Sequence, residues 1–305
     1  MQSRSTLARL QQATTLLQLS GALAWLAWWW SDSPLAALGG FVGMALVHSV
    51  VLGVEFVALR LVGGEADELR PTWPEAVRAW LGETLMATRV FSWRQPFRWR
   101  QVPDQLEVQA LGAGRRGVVF IHGFICNRGF WTPWLQRLRA EGRCFVAVNL
   151  EPVFGSIDDY VPIIERAVAQ VTDATGLPPI LVCHSMGGLA ARAWLRAHTS
   201  GSRVHHVITI ASPHHGTWLA RFGFRANSRQ MRRDSDWRTA MERETGAADY
   251  EKFTCWYSNC DNIVFPASTA TLPGARNLLV RGAAHVELAF HERVMSQSLE
   301  LLAAS

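Results

Sequence analysis

Ser185 stands in Cys183-His184-Ser185-Met186-Gly187-Gly188, between an apolar run at 180–183 and a helical pattern at 189–198. A serine that must attack a carbonyl carbon has to stand clear of its own backbone. A tight turn from strand into helix achieves this, provided that the flanking positions are small. The usual form of such a turn is Gly-x-Ser-x-Gly. Cys183 occupies its first position here, small enough for the turn but a departure from the strict pattern. Gly187 and Gly188 let the new helix approach the strand closely. An ordinary helix N-cap is the competing role for such a serine.

A seryl hydroxyl is a weak nucleophile until a base removes its proton, and the base needs an anion that fixes its tautomer and steadies its charged form. Where the nucleophile sits on this kind of turn, acid and base follow it in chain order, each on a loop after a later strand. His285 lies in Gly282-Ala283-Ala284-His285, after the apolar run Asn277–Val280, and is the expected base. Asp261 follows Thr254–Cys260 and is the expected acid. Glu287 is too near His285 in sequence to reach it from the far side. Asp234, Asp236 and Asp249 fall in an irregular polar stretch, His205 and His206 in a strand, and His291 on the last helix, where structural roles are expected. The oxyanion that forms on attack requires preorganised donors. These are expected to be the backbone N–H groups of Met186 and Phe124. His122 braces the second loop and, with the Phe124 ring, is expected to take part in substrate binding.

The elements that position these residues alternate. Apolar runs at 117–123, 144–150, 178–185, 204–212, 252–259 and 275–282 read as buried strands. Helical patterns at 133–142, 158–176, 186–199 and about 290–303 lie between or after them. The alternation predicts an α/β fold with a mostly parallel sheet covered on both faces. An Arg-rich segment at about 216–250 interrupts the rhythm as an insertion.

Residues 14–30 and 35–54 carry no charge and are separated by Ser31-Asp32-Ser33-Pro34, a turn signal. The second stretch has about the 20 residues that a spanning helix needs, and Trp28, Trp29 and Trp30 suit a headgroup level. A transmembrane helical hairpin over 1–63 is the expectation; a cleaved signal peptide or a buried helical cap are the alternatives. Arg4 and Arg9 before the first stretch, and Arg60 and Arg70 after the second, place both ends in the cytoplasm by the positive-inside rule. Glu55, Glu65, Asp67 and Glu68 weaken that charge asymmetry. Residues 64–114 form a connector rich in Trp and Arg, either a headgroup-facing surface or a helix packed on the remaining domain, 115–305.

The formal charge is +5, and Lys252 is the only lysine among 30 basic residues. No arginine run interleaves with aromatics as a nucleic-acid tract would, so nucleic acid is excluded as a partner, while anionic headgroups suit the positive surface. Five scattered cysteines form no CxxC and no zinc spacing; Cys255 and Cys260 are the pair to check for a disulfide.

Taken together, FIHGF (120–124), CHSMGG (183–188), ASPHHGT (211–217), SNCDNIVFP (258–266) and GAAHVEL (282–288) resemble the bacterial lipase/esterase branch of the α/β-hydrolase superfamily. The resemblance spans about residues 115–303, and Asn227–Met241 is similar to the helical insertion that such enzymes carry over the site. It implies ester hydrolysis through an acyl-enzyme, an acyl-ester or lipid substrate, no organic cofactor, and, with the hairpin, a place at a bacterial inner membrane. No ligand cluster supports a metal. An acyltransferase with the same acyl-enzyme, or a non-catalytic membrane scaffold, remains an alternative, because one fold serves many chemistries.

Overall fold

The apolar runs become strands at the expected places in the computed structural model, which describes residues 5–63, 67–107, 114–198, 203–244 and 247–303. They are β1 (Val118–Ile121), β2 (Phe145–Ala147), β3 (Ile180–His184), β4 (His206–Ile210), β5 (Phe253–Tyr257) and β6 (Arg276–Leu279). All pair in parallel in the order β2-β1-β3-β4-β5-β6. Each is shorter than its apolar run, because the ends of the runs belong to loops and stay apolar through burial alone.

Two cores cover the sheet. Along β1, Val119 and Ile121 point into one and Val118 and Phe120 into the other, the period-2 alternation of a strand buried on both faces. Helix α7 (Val161–Thr175) buries Ile164, Ala167, Val168 and Val171 on the first face, at the spacing of a single helical stripe. Helix α8 (Met186–Ala197) joins it, whereas α6 (Thr132–Ala140) and α12 (Glu292–Ala303) cover the other face. The 216–250 insertion contains α9 (Ala226–Gln230) and α10 (Asp236–Glu244). It is tied to the loop after β2 through Asn227 Nδ2 on Val153 O (2.9 Å) and Gln230 Nε2 on Ser156 Oγ (2.9 Å). All five cysteines are free and buried.

The N-terminal region is helical. Ser5 caps α1 (Thr6–Trp29), and Ser33, followed by Pro34 in the first turn, caps α2 (Pro34–Ala45), so the expected turn separates two antiparallel helices. The second expected span is broken: after Leu46 the chain continues as α3 (Val47–Val62), bent by 56°. Among the described residues no single helix is long and apolar enough to cross a membrane; the bent pair α2–α3 is, by length and composition. Thr72 and Glu75 form a capping box at the start of α4 (Trp73–Arg89), which continues through a π-helical stretch into α5 (Gln95–Phe97). Connector residues 64–66 and 108–113 lie outside the described residues.

These helices are fixed to the sheet domain by specific bonds. The Glu151 carboxylate accepts from Thr6 N (2.9 Å) and Thr6 Oγ1 (2.7 Å). Among the helices themselves, Gln11 Nε2 of α1 donates to Gln95 Oε1 of α5 (3.1 Å), and Trp80 Nε1 of α4 donates to Ser49 O of α3 (2.7 Å). A third apolar cluster joins Phe56 and Leu59 of α3 and Ala76 and Ala79 of α4 to Cys260, Phe265 and Ala284 in the loops beyond β5 and β6.

Candidate active site

Parallel strands present all their C-terminal ends on one edge, where loops can converge. The register places Ile121 beside Cys183, His184 beside Ile210, and Tyr257 beside Leu279. His122, Ser185, Asp261 and His285 all follow strand ends at this edge.

Ser185 has φ 53° and ψ −127°, backbone values that favour glycine, and it is 7% exposed. Its N–H is held by Ile210 O at 2.9 Å. The neighbouring glycines are required by contact: a Cβ on Gly123 would lie 2.8 Å from Ser185 Cβ, one on Gly187 would lie 2.8 Å from His122 O, and one on Gly188 would lie 2.7 Å from Ser212 Cβ. The sharp turn thus rests on small residues along both sides, as the sequence pattern requires.

The structure brings Asp261 and His285 together. His285 Nδ1 lies 2.9 Å from Asp261 Oδ1 and 3.0 Å from Oδ2, with both residues buried. Asp261 Oδ1 also accepts from the N–H groups of Ile263 (2.9 Å) and Val264 (2.7 Å), which fixes the carboxylate independently of its partner. Burial opposes a charge on His285, but Asp261 first, then Glu83 and Glu55, outweigh it, and the imidazole pKa is raised. His184 does not compete as a base. Its Nε2 faces His285 O at 3.2 Å, its ring stacks on Phe130, and burial holds it neutral.

The N–H groups of Met186 and Phe124 make no hydrogen bond inside the chain among the described residues, as oxyanion donors should not. His122 uses both ring nitrogens on backbone: Nε2 accepts from Leu150 N–H (3.0 Å), which leaves Nδ1–H to donate to Gly123 O (2.9 Å). Burial lowers its pKa to about 4, so the ring is neutral and braces the loop. No nitrogen of His122 remains free for a substrate, whereas the Phe124 ring is part-exposed and packs edge-on against Phe154. Arg225, just ahead of α9, lies over that Phe154 ring, which brings the insertion to this loop.

Two of the other groups are engaged elsewhere. Glu287 caps its own helix, α11 (His285–Leu288), accepting from Ala284 N–H at 3.1 Å, and His206 bonds Thr254. Three residues at the site escaped the sequence reading. Asn262 Oδ1 accepts from His285 N–H (3.2 Å), and its Nδ2 donates to Glu55 Oε2 (2.7 Å). Glu83, 1% exposed, accepts from the N–H groups of Val286 and Glu287. A signal existed: Glu83 lies among Ala76, Ala79 and Ala87 at helical spacing, an acid on a face of small residues made for close packing.

Known proteins similar in fold include the mature lipase BlEst2 of Bacillus licheniformis, 18% identical at a TM-score of 0.54, covering 62% of this chain and 92% of that one. Lipase B of Aspergillus fumigatus matches with 18% identity and a TM-score of 0.56, over 65% of this chain and 55% of the lipase. At this identity the likeness is one of fold. Residues 118–295, the span from β1 into the last helix and more than half of the chain, match the model of the alpha/beta hydrolase family, and the chain belongs to that family.

Proposed function

We propose that this protein is a membrane-anchored serine hydrolase that cleaves carboxylic esters with an apolar acyl part, in the manner of a lipase or esterase. The observation that carries the reading is the buried Asp261–His285 pair, at the strand edge where Ser185 is held in its strained turn. His285 Nε2 takes the Ser185 Oγ proton as Oγ bonds to the ester carbon. The oxyanion so formed lies against the N–H groups of Met186 and Phe124. As the carbonyl re-forms, the alkoxide leaves with the proton from His285, and Ser185 is acylated. Water, deprotonated by the same imidazole, then releases the acid and restores the hydroxyl.

The membrane part of the proposal is supported by where the exposed apolar residues lie. Leu17, Trp28, Leu35, Val50 and Leu61 on α1 to α3 are each more than 60% exposed. Trp73, Val77, Leu81 and Leu85 repeat every fourth residue along the open face of α4. Between α3 and α4 runs an almost wholly apolar groove of about 500 Å³, lined by Val50, Val54, Trp73 and Val77 among others. Contiguous apolar surface of this kind marks a membrane or interaction face, and lipid acyl chains suit it.

A fluorophosphonate probe followed by an ester panel tests the proposal. Full-length protein should be labelled at Ser185 and should hydrolyse acyl esters; Ser185→Ala should do neither while melting as a folded protein. Turnover by Ser185→Ala above about a tenth of the parent rate would place the nucleophile elsewhere, since loss of such a residue costs orders of magnitude.

A further inference from the structure

The base of the proposed mechanism is held from two sides, and only one of them belongs to the hydrolase sheet. On the second side stands Glu83, on α4, far from His285 in sequence. Its Oε1 accepts from Val286 N–H at 2.9 Å, and its Oε2 accepts from Val286 N–H at 3.1 Å and from Glu287 N–H at 3.0 Å. These are the first N–H groups after His285, so the carboxylate fixes the backbone from which the imidazole projects. Among the described residues no arginine or lysine pairs with Glu83. A buried acid without a cation is costly, and burial raises its pKa to about 7 against the pull of His285 and of the two N–H groups. Glu55 of α3 does the same at one remove: it holds Asn262, which in turn holds His285 N–H.

We propose that Glu83, seconded by Glu55 through Asn262, is a positioning residue for His285, so that the N-terminal helices complete the active site as well as anchoring it. This rests on the serine-hydrolase reading above. Glu83 orients the imidazole through the backbone, and its charge favours the imidazolium that forms when Ser185 attacks the ester carbon. The titratable groups facing His285 are Asp261 from the loop after β5, Glu83 from α4, Glu55 from α3 and His184 from β3, while Glu287 on its own helix is engaged by the Ala284 N–H. The rising limb of a pH–rate profile therefore belongs to this cluster, not to one imidazole.

The test uses the full chain in detergent micelles, with fluorophosphonate labelling of Ser185 measured against pH and steady-state cleavage of a chromogenic short-chain ester. Glu83→Ala should lower the labelling rate and kcat by about 10- to 100-fold with KM nearly unchanged, the range expected for losing hydrogen bonds to a charged acceptor. Glu83→Gln keeps one acceptor oxygen and should recover part of that loss. Because it removes a negative charge beside His285, it should also move the rising limb to lower pH. A purely structural contact would not shift the limb. Glu75→Gln, which loses the charge that pairs with Arg281 at the surface but keeps a side-chain acceptor for the Thr72 cap of α4, should match the parent. An unshifted limb in Glu83→Gln, or Glu83→Ala within about threefold of the parent, overturns the proposal. If Glu83→Ala does not fold, the Glu83→Gln profile decides alone. A parent protein left unlabelled at Ser185 would sink the hydrolase reading itself, and this proposal with it.

Discussion

Replacing Asp261 by asparagine changes a single atom at the centre of the site, so its effect can be worked from the geometry. At the observed 2.9 Å between His285 Nδ1 and Asp261 Oδ1, and an effective dielectric of about 20, the carboxylate attracts an imidazolium by about 6 kcal/mol. That attraction acts when His285 takes the serine proton, so its loss corresponds to about four decades in rate. The asparagine adds a second penalty. Its oxygen keeps the Ile263 and Val264 N–H groups, which turns its NH₂ towards Nδ1 and favours the tautomer with the proton on Nε2, where the base is needed. The same two bonds predict a folded protein, because the backbone loop retains its acceptor. The expected result is a kcat lower by about 10⁴-fold or more with a melting temperature within a few degrees of the parent. Chromogenic ester turnover, fluorophosphonate labelling and thermal unfolding of one preparation measure all three. An Asp261→Asn protein that kept more than a tenth of kcat, or a severe loss in Glu287→Gln instead, would refute the assignment of the acid.

Activity requires neutral His285 while its folded-state pKa is raised, so the rising limb of kcat/KM should lie above the ordinary imidazole value of about 6.5. Stability should run the other way: protonation of His285 and Glu83 favours the fold at low pH, and this contribution is lost as pH rises through their raised folded values, which melting curves across pH 5–9 would record. Ser185→Gly should be inactive yet more stable than Ser185→Ala by about 1–2 kcal/mol, because the strain that glycine relieves at the positive φ exceeds its larger entropic cost; equal melting temperatures would show an unstrained turn. The full chain should stay with membranes through a carbonate wash. A chain beginning at residue 64 should lose most of its activity even if it folds, since it lacks Glu55 and bares Cys260, Phe265 and Ala284; full activity in that shortened chain would refute the link between anchor and site.

Local chemistry made much of this protein legible in one dimension. Apolar runs of strand length, a serine flanked by glycines between strand and helix, and an acid and a histidine each just past a later strand are all short-range patterns, and they sufficed for the parallel sheet and for Ser185, Asp261 and His285 as the residues to examine. Turn and cap residues such as Ser33-Pro34 marked the first helix boundary in the N-terminal region for the same reason. The bend after Leu46 left no such mark, because nothing in the Met44–Val47 composition breaks a helix. Glu83 and Glu55 were invisible as parts of the site because their partners, Val286 and Asn262, lie more than 200 residues away and one of the pairs ends on backbone N–H groups. His122 shows the same limit in reverse: its motif placed it beside the nucleophile, while only packing decided that both its nitrogens would be spent on the chain. Sequence thus determined which groups could do chemistry and on which loops they stand. The tertiary structure decided which acids face the histidine and which donors stay free, because those choices depend on long-range contact and on the water that burial removes.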